Sequence, residues 1–204
     1  THGFYWVDRQ DFDPLRTVLE QAYENSSDMA TNVSALTYEI DAFKNRLKTN
    51  FFSKYYQQRI DRIEPVSRVV NGVATRVENT YADNRGFIGY GFAASYAFSV
   101  NLTLITSAEK AVRMPGESEI FGSPTNNLVP NPTIKPETSD NFNLGFRTGL
   151  FQLGAHKISL SMSGFLRNTL DKIAIRSNDR DITVMPTSES INLPGTQSMG
   201  FEAE

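Results

Sequence analysis

Ala111 to Thr148 reads AVRMPGESEIFGSPTNNLVPNPTIKPETSDNFNLGFRT, and its two halves obey different rules. From Ser139 to Leu150, Phe142, Leu144, Phe146 and Leu150 share one parity, and Asn141, Asn143, Gly145, Arg147 and Gly149 share the other. That is the period of a strand with one apolar face. The first half holds Pro115, Pro124, Pro130 and Pro132, with Pro136 just before the strand. Each proline removes an N–H and fixes φ, so a hydrogen-bonded ladder cannot run through this part. A long irregular segment therefore feeds a regular strand.

Working outward, the same alternation recurs. Ser34 to Ala42 sets Leu36, Tyr38, Ile40 and Ala42 against Ala35, Thr37, Glu39 and Asp41. Phe43-Lys44-Asn45-Arg46 suits a tight turn, and Leu47 to Gln58 returns with the double aromatics Phe51-Phe52 and Tyr55-Tyr56 split across its faces. Gly86 to Phe98 has the most asymmetric faces: Ile88, Tyr90, Phe92, Ala94, Tyr96 and Phe98 oppose Gly89, Gly91, Ala93, Ser95 and Ala97. A soluble strand gains little from such a run of small residues, whereas a barrel wall can turn it toward a closely approaching filling domain. Ser99-Val100-Asn101 reads as a turn into a strand from Leu102 to Ala111, and Phe151 to Ala155 as a turn into one from Lys157 to Thr169. A last strand covers Ser198 to Glu204.

The connecting segments read differently. Asp13 before Pro14 has the form of an N-cap with proline at the first helical position. Leu15, Val18, Leu19, Ala22 and Tyr23 follow at helical spacing, so a short helix is expected between Phe12 and Asn25. Asp61 to Asn84 reads as a long charged connection with a small hairpin at Asn71-Gly72. Asp171 to Pro194 reads as a polar loop with a short strand at Ile182 to Met185. Short connections thus alternate with long ones at about 9 to 32, 60 to 85, 113 to 137 and 172 to 195.

Composition bounds the classes. The chain has 204 residues, 39% hydrophobic content and a net charge of −3. No apolar run approaches the roughly 18 to 20 residues of a spanning helix. A membrane barrel stays open, because only alternate residues of its strands meet lipid. The charge gives no case for nucleic acid. Zero cysteines removes disulfides and thiol chemistry. His2 and His156 are far apart, and no nucleophile elbow or phosphate loop is present, so no catalytic group and no cofactor is expected. Asp8, Asp11 and Asp13 lack the glycine and terminal glutamate of a calcium loop and read as a solvated loop with a helix cap. Glu117, Glu119 and Glu137 are the carboxylates of the proline-rich segment. The opening THGFYWVDRQ carries no signal peptide, and its Phe4, Tyr5 and Trp6 suit a strand end at a membrane interface.

The run Arg113-Met114-Pro115, then Glu119-Ile120-Phe121-Gly122, then Asn131-Pro132-Thr133-Ile134-Lys135-Pro136-Glu137-Thr138-Ser139, with Asn141 and Leu144-Gly145 following, resembles the arginine-proline and asparagine-proline boxes of TonB-dependent outer-membrane receptors. Ile134 stands where leucine is more usual. The resemblance extends more loosely from Leu36 to the end of the chain. It implies an all-β fold: an antiparallel transmembrane β-barrel segment, residues 1–204 being part of a roughly 22-stranded barrel with long extracellular loops, short periplasmic turns, and the plug domain and remaining strands outside the sequence. An arc of about seven or eight strands would leave two unpaired edges. The implied function is TonB-driven uptake of a scarce solute, a siderophore, oligosaccharide or similar, across the outer membrane of a Gram-negative bacterium, with no enzymatic step. The implied partners are the TonB complex acting through the plug, the lipid bilayer, the small solute, and a surface lipoprotein as a further candidate. A non-transporting surface receptor or adhesin on the same barrel, and a soluble β-rich binding module, are the alternatives. Heme receptors share the two boxes but carry a ligating histidine between them, and Gly116 to Pro130 has none. Arg113, Asn141, Asn143, Arg147 and Arg167 are the substrate-binding candidates as a polar, partly cationic inner wall. Their plainer role is to hydrogen-bond the plug.

Overall fold

The computed structural model describes residues 2–18, 21–123, 126–154, 156–178 and 187–204. It is almost entirely sheet: β1 (His2–Val18), β2 (Gln21–Ala42), β3 (Leu47–Val70), β4 (Val73–Ser99), β5 (Leu102–Arg113), α1 (Glu117–Phe121), β6 (Leu128–Val129), β7 (Glu137–Thr148), β8 (Phe151–Leu153), β9 (His156–Ile158), β10 (Ser161–Asn178) and β11 (Thr187–Ala203). The eight long strands pair with their neighbours along the chain in the order β1-β2-β3-β4-β5-β7-β10-β11, all antiparallel, and β6 adds a short parallel pairing to β11 at Ser188 and Glu189. The sheet stays open: among the described residues β1 and β11 do not pair.

Residues directly opposite one another in register share a face. One rung therefore runs Tyr38, Phe51, Phe92, Ala108, Phe142, Leu166 and Met199 from β2 to β11. Its bulky members lie open on the outer surface, with Phe142 50% and Met199 72% exposed. The adjacent rung, Thr37, Phe52, Gly91, Glu109, Asn141, Arg167 and Ser198, faces the other way. The apolar run on β4 from Ile88 to Phe98 spans about 33 Å of strand, which at a tilt near 45° gives a band about 23 Å tall, close to the lipid-facing band of an outer-membrane barrel. One outward rung within it is polar, where Tyr90, Lys110, Asp140, Asn168 and Gln197 meet. The Gln197 amide donates to Asn168 there at 2.8 Å.

The small inward face of β4 is filled from within the sheet. A Cβ at Gly91 would come within 2.7 Å of the Phe52 ring and 2.6 Å of the Ala108 carbonyl, and one at Gly89 within 3.5 Å of the Tyr56 ring. Phe52 and Tyr56 lie across the glycines, which is why each double aromatic has one ring inside and one outside; Phe51 stacks outward toward Phe92 at 6.2 Å. The expected close approach of a filling domain to this face is, within this chain, the work of these two rings.

The short turns fall where the sequence places them, with Phe43, Lys44 and Asn45 all at positive φ and Val100-Asn101 closing β4 to β5. The turn at Phe151 is a miniature hairpin of β8 and β9. Three expectations for the other end are corrected. Among the described residues no helix forms between Phe12 and Asn25: β1 and β2 continue as an antiparallel pair, with Asp13 opposite Tyr23, and Pro14 falls in the register irregularity between Asp13 and Thr17. Asp61 to Asn84 is the tip of the β3–β4 ladder, whose hairpin at Asn71-Gly72 (φ 52° and 80°) is far longer than a local one. Asp171 to Pro194 is mostly the upper β10–β11 ladder, whose pairing skips Asp171 (φ 51°) and Pro194 with no shift of register; the expected strand at Ile182 to Met185 lies outside the described residues. The physical reason is common to all three. Cross-strand hydrogen bonds, once nucleated lower in the sheet, propagate upward at little further entropic cost and override weak helical or loop propensity.

The packed core does not lie in the apolar band. It sits at the long-strand end, on the inward face, where Met29, Ile60, Ile120, Phe121 and Ile134 cluster and Val7, Tyr81 and Ile173 pack against them.

Candidate functional site

Three of the five core residues come from the proline-rich segment between β5 and β7, so this segment folds inward over the sheet. Its prolines leave it with more carbonyl acceptors than N–H donors. The wall supplies the donors. Arg9 Nη1 donates to the Gly122 carbonyl at 3.0 Å and lies 3.8 Å from Glu117. Gln58 Nε2 donates to the Pro115 carbonyl at 3.0 Å and to Thr31 Oγ1 at 3.1 Å. Arg85 spans two carbonyls, Ile134 at 2.5 Å and Pro132 at 3.4 Å. On β11, Asn192 Oδ1 accepts the Lys135 N–H at 2.8 Å and its amide returns a bond to the Lys135 carbonyl at 3.0 Å. Asn131 reaches the Ser190 carbonyl at 2.8 Å. Gly122, at φ 78°, makes the tight return: a Cβ there would meet the Leu128 carbonyl at 2.5 Å.

Glu119 organises the entry to this segment. Its carboxylate accepts both Nη groups of Arg113, at 3.1 and 2.9 Å, and the Gly116 N–H at 2.8 Å. Arg113 also approaches Glu137 at 3.7 Å. The Glu119 hydrogen bonds hold the Arg113 guanidinium above its ordinary pKa against the opposing effect of burial. Arg113 is thus a clasp at the root of the loop, with a bidentate geometry that lysine could not reproduce. Higher on β4, the Tyr81 phenol is raised by burial and then by the nearby Asp83 carboxylate, to which it donates at 3.4 Å.

The other sequence candidates lie lower on the same face. Asn141 accepts from Arg167 Nε at 2.9 Å and donates to Ser139 Oγ at 3.2 Å. Asn143, one rung down, donates to Ser107 Oγ at 3.0 Å. Arg147 is exposed and lies two further rungs down, opposite Thr103 and Ser161. The structure therefore brings Asn141 and Arg167 together, sets Asn143 beside them, and separates Arg113 and Arg147 from the group. The sequence reading missed Arg9, Gln58, Arg62, Arg85 and Asn192. Most fell in stretches read as loops, and their period-2 spacing was masked by polar residues on both faces. Among the described residues no grouping of His, Asp or Glu could hold a metal ion.

Residues 1–204 match the sequence profile of the family described as TonB dependent receptor-like, beta-barrel. No curated protein matches the chain. Among solved structures it is similar to the Serratia marcescens hemophore receptor HasR, crystallised as a double mutant with its hemophore HasA and heme. The TM-score is 0.62 at 17% identity, over 99% of this chain and 36% of that one. It is also similar to the copper transporter OprC, with TM-score 0.53 and 17% identity over 89% of this chain and 26% of that one. The chain thus spans about a third of the one and a quarter of the other, and the likeness is one of fold.

Proposed function

Since this chain belongs to the β-barrel family of TonB-dependent receptors, we propose that it forms an arc of the wall of an outer-membrane receptor that takes up a scarce solute, driven by TonB through a plug domain. The observation that carries this reading is the division of one sheet into two chemistries. Outward, exposed Leu36, Tyr38, Phe92, Phe142, Leu144 and Phe201 form a band that only hydrocarbon can cover at no cost. Inward, the wall is polar, and the segment 114–136 docks on it. The long-strand end is then extracellular. β3 carries 24 residues, of which those beyond Tyr55 extend about 50 Å of strand past the band, far more than a span needs. The remaining strands would pair with the open edges of β1 and β11.

The barrel performs no covalent chemistry in this reading. A solute binds among the extracellular strands and loops, and the energised partner shifts the plug. Asn141, Asn143, Arg147 and Arg167 line the path below, and Arg113 acts on it through the loop it clasps. The HasR neighbour binds heme, but Gly116 to Pro130 offers no histidine here, which favours a different solute. Growth of a deletion strain on single iron sources and single glycans, beside its parent and a TonB-deficient strain, tests the reading. Loss of growth on one source in both defective strains supports uptake. Loss of surface binding with growth unchanged on every source assigns the barrel to a non-transporting receptor instead.

A further inference from the structure

Among the described residues four arginines stand on the inward face near the docked segment, and three of them are used to hold it: Arg9 on Gly122, Arg85 on Ile134 and Pro132, and Arg113 on Glu119. Arg62 on β3 is not. It is 5% exposed, its Nη2 is held by Glu64, and its Nε and Nη1 are buried with no hydrogen-bond acceptor among the described residues. Its cross-strand neighbour on β2 is Ser27, which is 1% exposed and whose Oγ also has no partner there. Arg9 lies next along the same rung and Tyr81 on the other side. A buried guanidinium with open donors is costly to keep.

We propose that Ser27 and Arg62 form a binding site for an oxyanion group, a carboxylate or phosphate carried by the solute, beneath the 114–136 segment. This rests on the receptor reading above and narrows its solute class. The site offers an open guanidinium N–H and an open hydroxyl on adjacent strands, a pair that one oxyanion can satisfy through two of its oxygens. Glu64, Asp83 and Glu117 stand close to Arg62, Arg85 and Arg9 and offset much of the positive charge, so the anion is held by directed hydrogen bonds and not by a general field. Ile120 and Phe121 pack on Met29 and Ile60 one rung away, and Ser27 and Arg62 are both buried, so in this proposal entry requires the segment to lift.

The test uses the full-length receptor in detergent micelles, with sodium phosphate and sodium acetate as probes at constant ionic strength against chloride. Thermal unfolding is followed by intrinsic fluorescence. The wild type should be stabilised in a saturable way by at least one probe. Arg62→Met and Ser27→Ala should each weaken that response by about tenfold or more. Arg62→Met leaves Glu64 without its partner but partly open to water, so it should still fold without the probe, and Arg59→Met, on the outward face, should respond as the wild type does. No saturable stabilisation of the wild type overturns the site, as does an unchanged response in Arg62→Met and Ser27→Ala. Should Arg62→Met fail to fold, Ser27→Ala and Arg62→Lys decide by the same criterion. A receptor that imports nothing yet responds through Arg62 loses the transport reading and keeps the site; one that imports a solute without any Arg62 dependence loses only the site.

Discussion

Leu144 and Asn143 are adjacent in β7 and point to opposite faces, so arginine at each position puts the same charge on the two sides of one wall. Leu144 is 59% exposed and sits at the centre of the outward run Phe142, Leu144, Phe146, opposite Thr106 and Gly164. If hydrocarbon covers that run, Leu144→Arg should cost about 2–4 kcal/mol, the expense of a cation at the bilayer midplane. That is about 30- to 700-fold in the folding equilibrium. Asn143 is half-open on the inward face and donates only to Ser107 Oγ, so Asn143→Arg should cost about 1 kcal/mol or less, the value of one hydrogen bond. The assay is urea-driven unfolding of the full-length receptor in phospholipid vesicles, with the folded form read by its altered mobility on unheated gels. Equal losses at the two positions would refute the assignment of faces. A larger loss at Asn143 would invert it and place the apolar rungs against protein.

Three other substitutions test the docked segment and the wall. Ile120→Ala removes a side chain with 0% exposure from the Met29 and Ile60 cluster and should cost about 2–5 kcal/mol, seen as faster protease nicking of residues 114–136 while the strands stay protected. Gly122→Ala places a Cβ against the Leu128 carbonyl at a φ of 78° and should destabilise the return by more than about 1 kcal/mol, read as faster hydrogen exchange at Ser123 and Leu128. Gly91→Val should lower folding yield into vesicles, because its side chain meets both the Phe52 ring and the Ala108 carbonyl. Adding Phe52→Ala should recover part of the yield and not all of it, since the carbonyl cannot move aside.

The lower half of the sheet was legible in the sequence because lipid imposes a rule there. Every second residue from Ile88 to Phe98 or from Phe142 to Phe146 must be apolar, and the turns at Phe43 and Val100 are local enough to show in their own residues. Above the band the inward face meets the docked segment, whose groups are both apolar and polar, and the rule lapses. On β3, Gln58, Ile60 and Arg62 point inward while Arg59, Asp61 and Ile63 point outward, so composition gives no contrast between faces. The same lapse lets Val18, Ala22 and Tyr23 read as helical although ladder pairing fixes their backbone. The family boxes marked Arg113 and Asn131 but not their duties. Arg9 and Arg85 bind backbone carbonyls 113 and 49 residues away, and backbone carbonyls leave no trace in a sequence.

The proline-rich segment and the wall arginines are two sides of one hydrogen-bond balance. A segment with prolines at 115, 130, 132 and 136 has carbonyls that cannot be matched by its own N–H groups, and burying it without donors would cost about 1–3 kcal/mol for each orphan. Arg9, Gln58, Arg85 and Asn192 supply those donors from β1, β3, β4 and β11, so the segment is registered against both ends of the arc at once. Each donor committed in this way is unavailable to a solute while the segment is docked. A solute that competes for Arg9 or Arg85 must therefore displace the segment, and displacement exposes Ile120, Phe121 and Ile134 together, because they share one cluster with Met29 and Ile60. The inward segment is fastened to the wall from β1 to β11 by carbonyl bonds and a five-residue apolar cluster together.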